Sequence, residues 1–125
     1  MKKLLDFSLF MMLLLMTAMW AFWLFFDTIA FDVFEVQASS SRGINTVKSD
    51  VGGAFLCLAI CLLLYFRQGK QWLYPTAVLM GCILFSRVIS LLLDGFDIVI
   101  LLAIGLEVSG LVMIAFLLKL LNQKH

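Results

Sequence analysis

Charged residues are scarce in this chain, and their scarcity excludes whole classes of protein. They make up 14% of the 125 residues, whereas hydrophobic residues make up 64%; in soluble domains about 25% of residues are charged. Water therefore cannot be the main solvent around the folded chain. Nearly all residues fall in apolar stretches or short connections, which leaves room for one helical unit and no separate soluble domain. A net charge of +1, without a clustered basic face, also excludes a nucleic-acid partner.

The residues that most often carry redox chemistry or bind metals are also few. The one histidine is His125, and the three cysteines are Cys57, Cys61 and Cys82. Cys57 and Cys61 do not have the Cys-x-x-Cys spacing of thiol oxidoreductases, and no histidine accompanies them, so neither a redox site nor a zinc site is expected. We expect the cysteines to be buried as small apolar side chains. Because the sequence also contains no phosphate-binding loop, nucleophile elbow or paired catalytic carboxylates, it predicts no cofactor and favours a non-enzymatic function.

What the sequence does contain is four apolar stretches of membrane-spanning length. A hydrocarbon core of ~30 Å needs about 20 apolar helical residues to cross it, and four stretches meet or approach this length: 7–26, 51–66 (44–66 with the polar start of its helix), 72–93 and 98–118. The only proline, Pro75, falls near the start of the third stretch, where its missing amide proton does little harm. The sequence therefore predicts an all-α, integral membrane four-helix bundle that forms a single domain over residues 1–125.

The second stretch and the loop before it carry further expectations. Extending the second helix back to residue 44 places Asn45, Lys48 and Asp50 at the mouth of the bundle, and Gly52 and Gly53 then allow another helix to approach closely. The outer loop, 27–43, alternates apolar and polar residues imperfectly, so it is compatible with either a short strand or a surface helix. Its two phenylalanines, at positions 31 and 34, are expected to rest at the headgroup boundary or to cap the outer end of the bundle.

Lysine and arginine in the short connections predict the orientation in the membrane, because positive residues resist export. They lie before the first stretch, between the second and third, and after the fourth: Lys2, Lys3, Arg67, Lys70, Lys119 and Lys124. The opposite side is acidic, with Asp94 and Asp97 in a tight turn between the last two stretches. Both termini are therefore predicted to be cytoplasmic.

Two ionisable residues, Arg87 and Glu107, lie well inside the apolar stretches. At 1.5 Å per helical residue, Arg87 lies ~10 Å and Glu107 roughly 14 Å below the outer boundary. The tight turn makes their helices antiparallel neighbours, so the guanidinium is expected to meet the carboxylate, with hydroxyl groups at Ser86 and Ser90 nearby. Each charge alone would cost roughly 2.5–3.5 kcal/mol on insertion scales, so both should face the bundle interior. On the last helix, Glu107 shares the inward face with the small residues at positions 103 and 110.

This pair admits two interpretations. It is either a buried ion pair that fixes helix register and does no chemistry, or part of a polar pocket open to the outer leaflet. The predicted pocket contains Asn45, Lys48, Asp50, Arg87 and Glu107. In it, basic residues would attract an anionic headgroup or a carboxylate, and Glu107 or Asp50 would exchange a proton. A lipid-like or quinone-like ligand would suit such a site.

Three segments of the sequence together resemble a bacterial family of small four-helix membrane proteins of undefined function. They are the run from Asn45 through Gly52-Gly53, the stretch from Arg87 to Asp94-Gly95, and Glu107 in the last span. The family pattern has arginine near position 48, where this chain has lysine. The resemblance implies four helices and a bacterial inner membrane, and it implies no activity. A looser similarity to the small DoxX-like four-helix proteins rests on architecture alone.

Three functional hypotheses follow. The first is an accessory or ligand-binding inner-membrane protein with an outward-facing polar pocket. The second is a dimeric proton-coupled small transporter with Glu107 as the titrating residue, and the third is a lipid-modifying membrane enzyme with Glu107 or Asp50 as acid and base. Membrane lipids are the expected partners in each case, and a homo-oligomer or a larger membrane complex remains open.

Overall fold

A computed structural model of the chain describes residues 2–34, 36–37, 41–94 and 98–123, and most of them are helical. The helices are α1 (Lys2–Phe25), α2 (Asp27–Val33), α3 (Ser41–Gln68), α4 (Leu73–Asp94) and α5 (Ile98–Asn122), with a 3-10 turn at Lys70–Trp72 before α4. Four of them, α1, α3, α4 and α5, are long and apolar enough to cross a membrane. The predicted helical architecture with four long apolar helices is thus confirmed.

The long helices extend beyond most of the predicted boundaries, because hydropathy marks only the apolar part of a helix while backbone hydrogen bonding continues into its polar ends. Helix α3 begins at Ser41, three residues before the predicted start at position 44. Asn45, Lys48 and Asp50 are therefore helical, as expected. The turn predicted between the last two helices falls on Gly95–Asp97, which lie outside the described residues.

Helix α2 resolves the alternative between a strand and a surface helix in the loop before α3. Asp27–Val33 is helical, and the two phenylalanine rings lie against Trp23 near the end of α1. The ring centroids of Trp23 and Phe34 are 5.1 Å apart in a stacked arrangement, and those of Trp23 and Phe31 are 5.9 Å apart edge to face. These contacts leave Trp23 only 3% exposed. The two phenylalanines thus cover Trp23 near the end of α1.

The connection between α3 and α4 depends on a glycine conformation. Gly69 has φ +103°, in the left-handed region that residues with a Cβ adopt only at an energetic cost. Its backbone N–H donates to the carbonyl oxygen of Tyr65 at 3.0 Å, which ends α3. The side chain of Trp72 then donates to Gln68 at 2.8 Å. This short turn reverses the chain and makes α3 and α4 antiparallel neighbours.

The four long helices form two pairs. Helix α1 packs mainly on α3, and α4 packs mainly on α5; α3 contacts α4, while α1 and α5 meet over a small area. Gly52 on α3 lies against Trp20 and Trp23 of α1, since a Cβ built there would be 3.8 Å from the Trp23 Cβ. A Cβ on Gly53 would have nothing within 4 Å. The close packing expected for both glycines therefore holds for Gly52 and was wrong for Gly53.

The buried core lies at one end of the bundle. We call this the closed end; it is formed by the start of α1, the end of α3, the start of α4 and the end of α5. All four long helices contribute to the core cluster there: Leu9, Leu58, Leu62, Tyr65, Leu73, Met80, Ile114 and Leu117. At the opposite end, which we call the open end, the buried residues in the described ranges are Trp23, Ala30 and Gly52. These belong to α1, α2 and α3, so the two helix pairs are joined by the core at the closed end.

Substitutions at Gly110 and Gly53 should change the stability of the fold differently. A Cβ on Gly110 would lie 2.7 Å from the terminal carbon of Met80, so Gly110→Leu should overpack the α4–α5 contact and cost about 1–3 kcal/mol. Gly53→Leu should leave stability unchanged or raise it, because its site is open and leucine favours helix over glycine. Thermal unfolding in detergent, followed by circular dichroism, measures both. Equal losses in the two variants would contradict the packing described here.

Candidate functional site

The ion pair predicted between α4 and α5 is present. The Nε atom of Arg87 donates to Oε1 of Glu107 at 2.6 Å. The Glu107 side chain is 17% exposed and that of Arg87 is 38% exposed, so the pair is half-buried. The second carboxylate oxygen, Oε2 of Glu107, is buried and has no hydrogen-bond partner among the described residues. Glu107 therefore has one oxygen engaged in a helix–helix contact and one that no donor among the described residues reaches.

The side chains near Glu107 explain its position. Gly110 is buried, and Ala103 and Glu107 are half-buried on the same face of α5, which confirms the expected inward-facing small residues. The lack of a side chain at Gly110 lets Met80 approach, so α4 and α5 lie close together at this level. Ser86, expected to support the pair, donates instead to the carbonyl oxygen of Cys82 at 2.9 Å. The side chain of Ser90 lies outside the described residues.

The pair lies on the wall of a cleft of about 670 Å³ between the two helix pairs. The floor of the cleft includes Leu58 and Met80, which belong to the core of the closed end. Its walls come from α1, α3 and α4, with Glu107 from α5, and most of the lining is apolar: Met12, Met16, Val51, Ala54, Phe55 and Ile83. Asp50, Arg87 and Glu107 supply the charged part of the lining. The cleft is thus apolar toward the closed end and charged toward the open end.

Helical spacing accounts for this arrangement. Met80, Ile83 and Arg87 are three and four residues apart, so they lie on one face of α4. Ala54 and Leu58 stand four apart on α3 and face them across the cleft. The volume lies within the range of about 300–1,000 Å³ that is usual for small-molecule sites, which are mostly apolar with a few polar groups. The arrangement can therefore hold an amphipathic molecule.

The structure divides the five residues of the predicted pocket between two concavities. Asp50, Arg87 and Glu107 line the cleft, whereas Asn45 and Lys48 line a separate groove of about 570 Å³ between α1 and α3. Asn45 accepts a hydrogen bond from Ser49 at 3.1 Å within its own helix. The reason for the division is rotational: positions 45 and 48 project from α3 toward the α1 side, and position 50 projects toward α4.

Lys48 has an acidic partner that the sequence analysis did not identify. Its Nζ atom lies 3.1 Å from Oδ2 of Asp27, the first residue of α2. The second oxygen of Asp27 accepts a hydrogen bond from the backbone N–H of Thr28 at 2.9 Å. The Lys48 ammonium and this N–H hold the pKa of Asp27 below its ordinary value. No periodic signal links positions 27 and 48, because they lie 21 residues apart on different helices.

A second polar contact that sequence reasoning missed lies at the closed end. The hydroxyl of Tyr65 donates to Oδ1 of Asp6 at 2.6 Å and ties α1 to α3. Matching the depths of two antiparallel helices could have found it, since both residues lie near the same end of the bundle. The two residues line a groove of about 620 Å³ with Lys2 and Lys70.

The cysteines depart in part from the expectation of burial. Cys61 is buried, but Cys57 and Cys82 are exposed, and none of the three is in a disulfide. Cys82 lines the cleft, where the separation of the helix pairs leaves its thiol uncovered. Within the described part of the chain, no group of three histidine, cysteine, aspartate or glutamate side chains is placed to hold a metal ion.

Lowering the pH should weaken the attachment of α2. The folded-state pKa of Asp27 lies below the ordinary value of 3.8, so the Asp27–Lys48 pair stabilises the fold above 3.8 and is lost as the pH falls through the folded pKa. We expect Asp27→Asn to unfold at a lower temperature than the wild type at neutral pH, and the difference to vanish in strong acid. Tryptophan fluorescence reports the change, because α2 places two phenylalanines on Trp23.

Asp32→Asn is the matched control for this experiment. Asp32 is a second carboxylate on α2 and, among the described residues, it forms no ion pair. At neutral pH this variant should unfold like the wild type. If the gap between Asp27→Asn and the wild type persisted in strong acid, the ion pair would not be its cause.

Comparison with known proteins found no match: no family model, no curated protein and no solved structure matches the chain. The resemblance drawn from the sequence therefore stays a prediction.

Proposed function

We propose that this chain is a bacterial inner-membrane protein that binds a hydrophobic, lipid-like or quinone-like ligand in the cleft between its two helix pairs. The polar end of the cleft opens near the outer leaflet, and both termini are cytoplasmic. The role is that of an accessory or ligand-binding protein, not that of an enzyme. The observation that carries the proposal is the cleft itself, which is apolar along its floor and ends at a half-buried ion pair with an unpartnered carboxylate oxygen.

Two observations support insertion in this orientation. Large apolar side chains are exposed on all four long helices, among them Leu4, Ile60, Phe85 and Leu102, which is costly in water and favourable against lipid. Most basic residues in the described ranges lie at the closed end: Lys2, Lys3, Arg67, Lys70 and Lys119. The side richer in lysine and arginine is usually cytoplasmic. The open end would then face outward.

The dimensions of the cleft suit the tail and head of an amphiphile. From Asp50 at the charged end to Leu58 at the floor, α3 advances eight residues, or ~12 Å. A hydrocarbon tail would contact Met12, Phe55 and Met80 along this length. The polar head would then lie beside Arg87 and Glu107. Such a ligand could enter laterally from the bilayer, without crossing an aqueous phase.

Transport and catalysis, the two alternative functions, would each place further demands on this site. A proton-coupled transporter using Glu107 needs access from both sides, and the core around Leu62, Ile114 and Leu117 would have to open to provide it. A lipid-modifying enzyme would use Asp50 with Glu107, since both line the cleft. One-sided access and the mostly apolar lining favour binding over transport or catalysis.

Filling the cleft should displace the ligand. Ala54 lies on its wall, so Ala54→Phe would place a bulky ring where the tail is proposed to bind. Native mass spectrometry of protein extracted gently from its own membrane should show a bound species on the wild type and lose it in this variant. Ala115→Phe is the matched control, because Ala115 is exposed outside the cleft, and it should keep the species. A wild-type protein without any bound species would overturn the binding function.

Exchanging the two charges separates the structural role of the ion pair from a binding role. Arg87→Ala removes a charged hydrogen bond and should cost about 1.5–3 kcal/mol. The double variant Arg87→Glu with Glu107→Arg restores opposite charges and should recover most of that loss in thermal unfolding. It should not recover the bound species, because the free carboxylate oxygen is no longer on α5. Recovery of both properties would assign the pair a structural role and leave head-group recognition to other residues.

A further inference from the structure

The charges that line the cleft do not favour an anionic ligand. Three charged side chains belong to the described lining, namely Asp50, Arg87 and Glu107. The positive charge of Arg87 is engaged at 2.6 Å by Glu107, and Asp50 adds a second negative charge. Lys48, which the sequence analysis expected to attract an anion, instead lies in the neighbouring groove beside Asp27. An anionic head group would therefore meet more negative than positive charge.

The unsatisfied atom of the site is an acceptor. Oε2 of Glu107 is buried without a hydrogen-bond partner in the described structure, and a buried carboxylate oxygen is favourable only when a donor reaches it. Ser86 is the hydroxyl residue of the lining, and its Oγ already donates to the carbonyl oxygen of Cys82. A ligand that brings its own donor would complete the site. A head group with acceptors alone, such as an oxidised quinone, would not.

Building on the proposed binding function, we infer that the ligand is a long-chain amphiphile whose head group donates hydrogen bonds and carries no negative charge. A primary ammonium or a hydroxyl group has this chemistry. In the complex the Oε2 atom of Glu107, which is buried without ligand, turns toward the cleft and accepts the donated hydrogen bond, while Arg87 holds the carboxylate through its other oxygen. The tail lies on the apolar lining, which includes Phe55 and Met80.

Four dodecyl compounds with the same tail test the head group: dodecylammonium, dodecanol, dodecyltrimethylammonium and dodecanoate. Protein in lipid nanodiscs is incubated with a low concentration of each compound and then treated with a maleimide. Cys82 lines the cleft and Cys57 is exposed elsewhere, so mass spectrometry of the two peptides gives ligand protection at Cys82 with an internal control. Dodecylammonium and dodecanol should protect Cys82 at concentrations at least about tenfold lower than the other two compounds, a difference of about 1.4 kcal/mol.

The outcomes separate this inference from the function on which it rests. If no compound protects Cys82 while its maleimide reaction proceeds, the cleft binds no amphiphile and both proposals fail. If all four protect equally, or dodecanoate protects best, binding stands and the head-group inference is overturned. Protection by dodecylammonium alone would assign the donor as an amine, and protection by both donors would assign hydrogen bonding as the common requirement.

Glu107→Gln provides the variant test. With its carbonyl oxygen on Arg87, the glutamine would present an N–H where Oε2 stood. The preference for donor head groups should then disappear. Dodecyltrimethylammonium, which donates no hydrogen bond, should lose only its attraction to the negative charge of Glu107. Asp32→Asn is the comparison: it removes a carboxylate that lies outside the lining of the cleft, so dodecanol protection should be unchanged. Dodecanol protection that persists in Glu107→Gln would contradict the assigned hydrogen bond.

Discussion

The buried cluster at the closed end is the contact on which the rest of the structure depends, because all four long helices meet there. Leu9, Leu62, Met80 and Leu117 each come from a different helix. Helices surrounded by lipid gain little from burying apolar surface, so close packing and polar contacts decide how they associate. The Tyr65–Asp6 hydrogen bond adds a polar contact at the same end. Because the helices are held together there, the two pairs can separate from each other toward the open end.

The open end is held by polar and aromatic contacts within each pair. Arg87 and Glu107 join α4 to α5, and Trp23 of α1, covered by Phe31 and Phe34, lies against Gly52 of α3. The cleft lies between the pairs. Its existence is therefore a consequence of where the core is: an apolar core that continued to the open end would have filled the cleft.

Glu107 shows that the structural and the functional interpretation of the buried charges need not exclude each other. One carboxylate oxygen accepts from Arg87 and fixes the α4–α5 contact, whereas the other is buried without a partner. If Glu107 only fixed the register of the two helices, both of its oxygens should accept hydrogen bonds, because an unpaired buried acceptor destabilises the fold. The structural role thus falls on the oxygen that accepts from Arg87, and the proposed binding role falls on the other.

The sequence by itself determined the four long helices and the Arg87–Glu107 contact. Hydropathy and length identify a helix without knowledge of its neighbours. Only three residues separate α4 from α5, so the two helices must be neighbours. Only the tertiary structure decided that Lys48 binds Asp27 and that Asn45 and Asp50 face different concavities. These depend on the rotation of α3 about its axis and on the path of the loop before it. Neither is encoded in a linear pattern, because both follow from packing among helices that are distant in sequence.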